Sequence, residues 1–116
     1  MRPISSKFRK IIDEDPFYRR CALADEKCDG RITIEHAFIY AGRQIDEMWN
    51  FVPLCEWHHS VGKWLGCGGL DKSRNEWIAL NLAPPRAFKA YPKRDFETLK
   101  AHYNKKYGKP RIINNS

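Results

Sequence analysis

Eight residues in the middle of the chain have types and spacings that suit chemistry. They fall into two interleaved groups: Cys21, Cys28, Cys55 and His58, and Glu35, His36, Asn50 and His59. In the first group, six residues separate Cys21 from Cys28 and two separate Cys55 from His58. Zinc takes about four soft or borderline ligands in a tetrahedron. A Cys-x-x-His pair entering a helix offers two of them from one turn, and a pair in a loop or hairpin offers the others. Cys67 competes with His58 for the fourth position, or is a free thiol. Cysteine is also a commonly buried core residue. Four cysteines in a chain of 116 residues, two of them framing a turn, favour a structural metal over core packing.

The second group supplies a carboxylate, two imidazoles and an amide. Glu35-His36 closes a candidate strand, Asn50 follows in the next extended segment, and His59 stands just after the Cys-x-x-His pair. Consecutive helical positions point about 100° apart, so a single ion does not readily take both His58 and His59. His58 shares the knuckle spacing with Cys55 and so goes with the cysteines, which leaves His59 apart from them. Taken singly, these residues read more often as bland than as catalytic, Glu35 and His36 as a surface pair and His59 as a helix cap; their joint order, spacing and interleaving with the cysteines are the informative feature.

The run Ile34-Glu35-His36, then Asn50, then Pro53-Leu54-Cys55-Glu56-Trp57-His58-His59 resembles the HNH endonucleases, specifically their zinc-braced members, including phage-type ones. The resemblance covers roughly residues 21–64. It implies an α+β fold: a small ββα-metal core with a structural zinc and flanking helices at both ends. It also implies a phosphodiester hydrolase acting on DNA, by nicking or cutting. In that scheme His36 is the general base, Glu35 and His59 hold one Mg²⁺ or Mn²⁺ ion, and Asn50 fixes the loop and the His36 ring. Cys21, Cys28, Cys55 and His58 hold Zn²⁺. Two positions depart from the family pattern. Glu35 stands where Asp is usual, and Lys63 stands where some members carry a further His; a lysine there suits a phosphate contact. Two other readings remain open: a non-catalytic zinc module that binds nucleic acid, and a structure-selective nuclease of phage-like recombination.

Composition fits these readings. Hydrophobic residues make up 42% and charged residues 30%, which is globular rather than disordered. The net charge of +7 is uneven. Residues 1–20 carry six Lys/Arg against three Asp/Glu, residues 21–85 six against nine, and residues 86–116 nine against two. An acidic centre rich in Cys and His lies between basic ends, as a metal site with arms for a polyanion would require. Arg43, Lys63, Arg94, Lys100, Lys105 and Lys106 are the candidate nucleic-acid contacts. No apolar run is long enough for a membrane span, and the first residues lack a secretory pattern. The expectation is a single domain over 1–116, cytoplasmic in a bacterial or phage-infected cell, monomeric or homodimeric, with reduced cysteines.

The elements that must position these residues follow from local pattern. A helix is expected within 6–20, breaking near Pro16. The segment 21–39 reads as extended, with a turn at Asp29-Gly30 and β-favouring Ile32, Thr33 and Ile34. Residues 40–48 read as a loop and 49–54 as extended. A short helix should begin near Glu56 and end at Gly66-Cys67-Gly68-Gly69. Asp71 should cap a helix running to about Leu80, and Pro84-Pro85 should break it. A last helix is expected over about 93–106, with Phe96, Leu99 and Tyr103 inward, Arg94, Lys100, Lys105 and Lys106 outward, and a stop at Gly108. The tract from Lys105 to Arg111 reads as a mobile basic arm. Trp49, Trp57, Trp64 and Trp77 read mostly as packing residues, and His102 as a surface residue.

Overall fold

The computed structural model describes residues 4–23, 28–59 and 72–110. Its first helix, α1 (Ser6–Glu14), begins where the Ser5 hydroxyl accepts the Phe8 amide. It ends at Asp15, whose carboxylate accepts the Phe17 amide at 3.0 Å and opens the short 3₁₀ turn Pro16–Arg19. Proline at the first position of that turn stops α1 because it has no N–H to continue the ladder. Ile12 and Tyr18 pack with Phe51 in a small cluster, and the Tyr18 hydroxyl donates to the Met48 carbonyl at 3.1 Å.

The central feature is an antiparallel pair, β1 (Ile32–His36) with β4 (Phe51–Cys55), registered from Ile32 opposite Cys55 to His36 opposite Phe51. All five residues of β4 are buried. Side chains alternate along a strand. Val52 and Leu54 accordingly face the main core with Trp49, Ile78, Leu80 and Phe96, while Phe51 faces the α1 cluster. The Ala22 amide donates to the Pro53 carbonyl at 2.8 Å, which lays the Cys21 segment alongside β4.

The expected loop over 40–48 contains a second, smaller sheet: β2 (Ile39–Tyr40) pairs with β3 (Arg43–Gln44). Ala41 and Gly42 connect them with φ of 52° and 80°. Two left-handed residues make the tight turn whose twist matches a hairpin, but Ala-Gly lacks the usual Asn or Asp before glycine, so the signal was weak. Asn50, fully buried after the 3₁₀ turn Met48–Asn50, ties this hairpin to the main pair. Its Oδ1 accepts the Phe38 amide at 2.8 Å, and its Nδ2 donates to the carbonyls of Phe38 (3.1 Å) and Ile45 (3.0 Å).

Three helices follow: α2 (Lys72–Leu82), α3 (Pro85–Ala90) and α4 (Phe96–Tyr107). Pro84-Pro85 breaks the chain as expected but also starts α3, since Pro85 occupies a first-turn position where a missing N–H costs nothing. The last helix starts at Phe96 rather than 93, because Asp95 caps it by accepting the Thr98 amide and hydroxyl. Arg94 therefore precedes the helix and does not share its face. The basic arm expected from Lys105 is corrected as well: Lys105, Lys106 and Tyr107 belong to α4, and the Trp77 indole N–H reaches Asn104 Oδ1 and the Gly108 carbonyl at 3.1 and 2.9 Å. Asn81 donates to Asn104 at 2.8 Å and Tyr103 to Glu76 at 2.7 Å, so α2 and α4 are joined by a polar seam. The architecture is α+β, with small antiparallel sheets and helices at both ends. Among the described residues no helix is long and apolar enough to cross a membrane.

Asn50→Ala should destabilise the protein by about 2–4 kcal/mol, because it leaves a buried amide and two buried carbonyls without their partners. Urea denaturation followed by tryptophan fluorescence measures this. A loss below about 1 kcal/mol would show that the hairpin does not depend on this clamp.

Candidate metal centre

Four side chains meet at the end of the β1–β4 pair. The Sγ atoms of Cys21, Cys28 and Cys55 lie 3.5, 3.6 and 3.1 Å from His58 Nδ1. All four donor atoms fall within 4.8 Å of one another. A zinc ion with bonds of about 2.3 Å to sulfur and 2.0–2.1 Å to nitrogen has tetrahedral edges of about 3.6–3.8 Å. The cluster is thus sized and constituted to hold a structural metal such as zinc. Cys21, Cys55 and His58 are buried, and Cys28 is exposed. Cys67 and Lys63 lie outside the described residues.

Local bonding explains how the sequence builds this cluster. The Cys55 carbonyl accepts the amides of His58 and His59 at 3.1 and 3.0 Å, which winds one helical turn and returns His58 towards the Cys55 thiol. Trp57 packs edge-on against the His58 ring, with centroids 4.8 Å apart. The turn carrying Cys28 is bound to the Cys55 turn twice: the Trp57 amide donates to the Asp29 carbonyl, and Glu56 Oε1 accepts the Arg31 amide at 2.9 Å. Gly30 makes this approach possible. Its φ is +84°, and a Cβ there would stand 2.5 Å from Glu56 Oε1 and 2.7 Å from Glu56 Cβ. Burial alone would raise the Cys55 thiol, but hydrogen bonds from the Asp29 and His58 backbone and from the His58 and Cys28 side chains outweigh it and hold it down at about 7.

His59 turns away from this cluster to Glu35. Its Nε2 lies 3.3 Å from Glu35 Oε1, with the side chains only 11% and 7% exposed. Two cis ligands on an octahedral Mg²⁺, with bonds of 2.0–2.1 Å, stand about 3 Å apart. The pair has the separation of two adjacent ligands, and it already forms a hydrogen-bonded contact on its own. Glu35 and His36 are successive on β1, so alternation sends them to opposite faces. The His36 ring meets Phe51, its cross-strand neighbour, edge-on at 5.1 Å, and His36 is 6% exposed. Asn50 acts one step away, through the backbone of Phe38 and Ile45.

The candidate nucleic-acid residues are spread more widely. Arg43 is exposed on β3. On α4, Lys100 stands over the Phe88 ring and Lys106 over Tyr107, with Lys105 exposed beside it. Arg94 lies instead over Phe38 and Phe96. That contact, and the part played by Gly30 and Glu56, leave no local signal in the chain, since each depends on segments brought together only by folding. Trp49 is core, Trp57 and Trp77 are half-buried, Trp64 lies outside the described residues, and His102 is exposed. Family models, curated proteins and solved structures were all compared with the chain, and none matches.

Purified protein should carry about one tightly held zinc per chain. Cys21→Ser, Cys55→Ser and His58→Ala should each lose it, measured by metal analysis after chelator challenge. Zinc affinity should fall as pH drops below about 7, because protons then compete with metal for the Cys55 sulfur of the metal-free chain. Loss of zinc in Cys67→Ser with retention in His58→Ala would reassign the fourth ligand.

Proposed function

We propose that the chain is a metal-dependent endonuclease of the HNH type that hydrolyses DNA phosphodiester bonds, with a zinc ion bracing the site. The observation that carries this reading is the buried Glu35–His59 pair, 3.3 Å apart, set one residue from His58 in the Cys3His cluster. Two adjacent imidazoles are divided between two sites, one closed by sulfur and one left with a carboxylate. A closed sulfur-rich site suits structure; a sparse oxygen–nitrogen site leaves room for water and phosphate.

The residues divide the work as follows. Glu35 and His59 are the ligands for a divalent ion, Mg²⁺ or Mn²⁺. When bound there, such an ion supplies positive charge next to the phosphate oxygens. His36 takes the proton from the attacking water on an imidazole nitrogen, which requires the neutral ring. Asn50 holds the backbone of Phe38, two residues beyond His36, and so fixes where the strand carrying the base ends. The zinc cluster holds the turn that presents His59.

One observation favours the second reading, a zinc module that binds nucleic acid without cutting it: His36 is buried against Phe51, on the face of β1 opposite the one from which Glu35 meets His59. Cleavage assays separate the two. Zinc-loaded protein should nick supercoiled plasmid with Mg²⁺ or Mn²⁺. His36→Ala should lower the rate by about 10²–10⁴ with zinc content and fold retained. Glu35→Gln and His59→Ala should abolish cleavage, and raised Mn²⁺ should restore part of it. Undiminished cleavage by a folded, zinc-loaded His36→Ala protein would remove His36 as the base. Absence of cleavage by the wild-type protein under all these conditions would favour the binding module.

A further inference from the structure

The fold brings Arg94, distant in the chain, against the segment leaving His36. Its guanidinium carbon lies 5.6 Å from the centre of the Phe38 ring and 5.3 Å from that of Phe96. These two rings are themselves in contact, 4.9 Å apart, and each is 1% exposed. Both platforms are fixed. Asn50 holds Phe38 by its amide and its carbonyl, and Phe96 begins α4 in the core. The Arg94 backbone is held too: its amide donates to the Tyr91 carbonyl, and its carbonyl accepts the Phe96 amide. The same segment abuts the hairpin that follows, since the Lys93 amide donates to the Tyr40 hydroxyl and Tyr91 packs edge-on against Tyr40.

Among the described residues, the Arg94 guanidinium enters no ion pair or hydrogen bond; the acidic partners of the neighbouring region go elsewhere, Glu47 to Arg86 and Tyr91, and Asp95 to Thr98. Arg94 is exposed, so the edge of the fork away from the rings faces solvent. An arginine held over aromatic rings has fewer arrangements to lose on binding, and its five donors keep a planar fork that matches phosphate. Arg94 sits against Phe38, two residues beyond His36 in the chain, so its side chain lies where the segment leaving β1 enters the core.

We infer that Arg94, held over Phe38 and Phe96, is a positioning residue that takes a backbone phosphate of a nucleic-acid strand lying across the end of β1. This inference rests on the nuclease reading for its substrate, but not on turnover. Its recognition depends on the stacked fork and not on charge alone.

The test is equilibrium binding of a fluorescently labelled 20-base-pair duplex by zinc-loaded full-length protein, without added Mg²⁺ or Mn²⁺, across a salt series. Arg94→Ala should weaken binding about tenfold and reduce the steepness of the salt dependence by about one unit of slope. Arg94→Lys should restore the slope but not the affinity, since it keeps the charge and loses the fork and the stack. Zinc content and the thermal midpoint serve as fold controls for both. Unchanged affinity and slope in a folded Arg94→Ala protein overturns the inference, as does full recovery of affinity by Arg94→Lys. If the wild type binds duplex and Arg94→Ala does not, but neither cuts, the nuclease reading falls and the Arg94 contact stands. If the wild type cuts and Arg94→Ala binds as well as it does, only the Arg94 contact falls. If the wild type binds no duplex, both fall.

Discussion

The antiparallel ladder between β1 and β4 holds Ile32 opposite Cys55 at one end and His36 opposite Phe51 at the other, and both groups of chemical residues hang from it. Because side chains alternate with a period of two, a slip of one residue would exchange the faces of Glu35 and His36. Glu35 would leave His59, and His36 would leave Phe51. The same slip would move Cys55 out of step with the turn at Cys28 and Gly30, where the Cys55 and Cys28 turns are bonded through Asp29, Arg31, Glu56 and Trp57. The ladder has only five residues on each strand, which is little to fix a register by itself. What fixes it is the difference between its faces: Val52 and Leu54 belong to the main core, Phe51 to the α1 cluster, and β4 has no exposed residue to spare for a shift.

A metal at the cluster of three cysteines and His58 would add a second constraint of a different kind. The ladder orders residues near in register, whereas the cluster joins Cys21, which precedes β1, to Cys55 and His58, which follow β4. Those loops are held by a few hydrogen bonds and by the packing of Trp57 on His58. In a small domain, four metal–ligand bonds compensate for a limited core and make the folded state depend on metal. Glu35 and His59 differ in this respect. They lie within the folded body and meet at 3.3 Å, a carboxylate with an imidazole and no sulfur. On the proposed reading that oxygen–nitrogen pair is the reaction site and the sulfur-rich cluster its brace.

Much of this was legible in the sequence because it is local. The Cys-x-x-His spacing, the Asp29-Gly30 turn, the β-branched run at Ile32–Ile34 and the stop at Gly108 are statements about residues close in the chain. The order of Glu35, Asn50 and His59 was also visible, although only folding brings Glu35 to His59 across β4. The failures share a cause. The Ala41-Gly42 hairpin was read as loop because two strands of two residues carry almost no periodic signal, and their stability comes from Asn50 and from Tyr40 packing on Tyr91. Lys105 and Lys106 read from the sequence both as the last turn of a helix and as the start of a mobile basic arm, and the structure bears out the helix. The contacts that hold them, from Trp77 and Asn81 to Asn104 and Gly108, cross more than twenty positions.

The charge distribution takes its meaning from the same long-range contacts. Along the chain the acidic centre and the basic end look like separate regions, one for metal and one for a polyanion. In the fold they are interleaved. Asn50 clamps Phe38 from the metal-hairpin side, Arg94 covers Phe38 from the basic side, and Phe96 starts the helix that carries Lys100 and Lys106. A cation on a free lysine stem would pull phosphate towards the surface without fixing where it lands. On the proposed reading, an arginine held over two core rings ties the position of the phosphate to that of the core. Phe38 is held in turn by Asn50, so a shift at the end of β1 and a shift in that contact would go together. Only folding places Arg94, nearly sixty positions from His36, against the segment that leaves β1, and composition alone, which counts it as one of twenty-one cations, does not single it out.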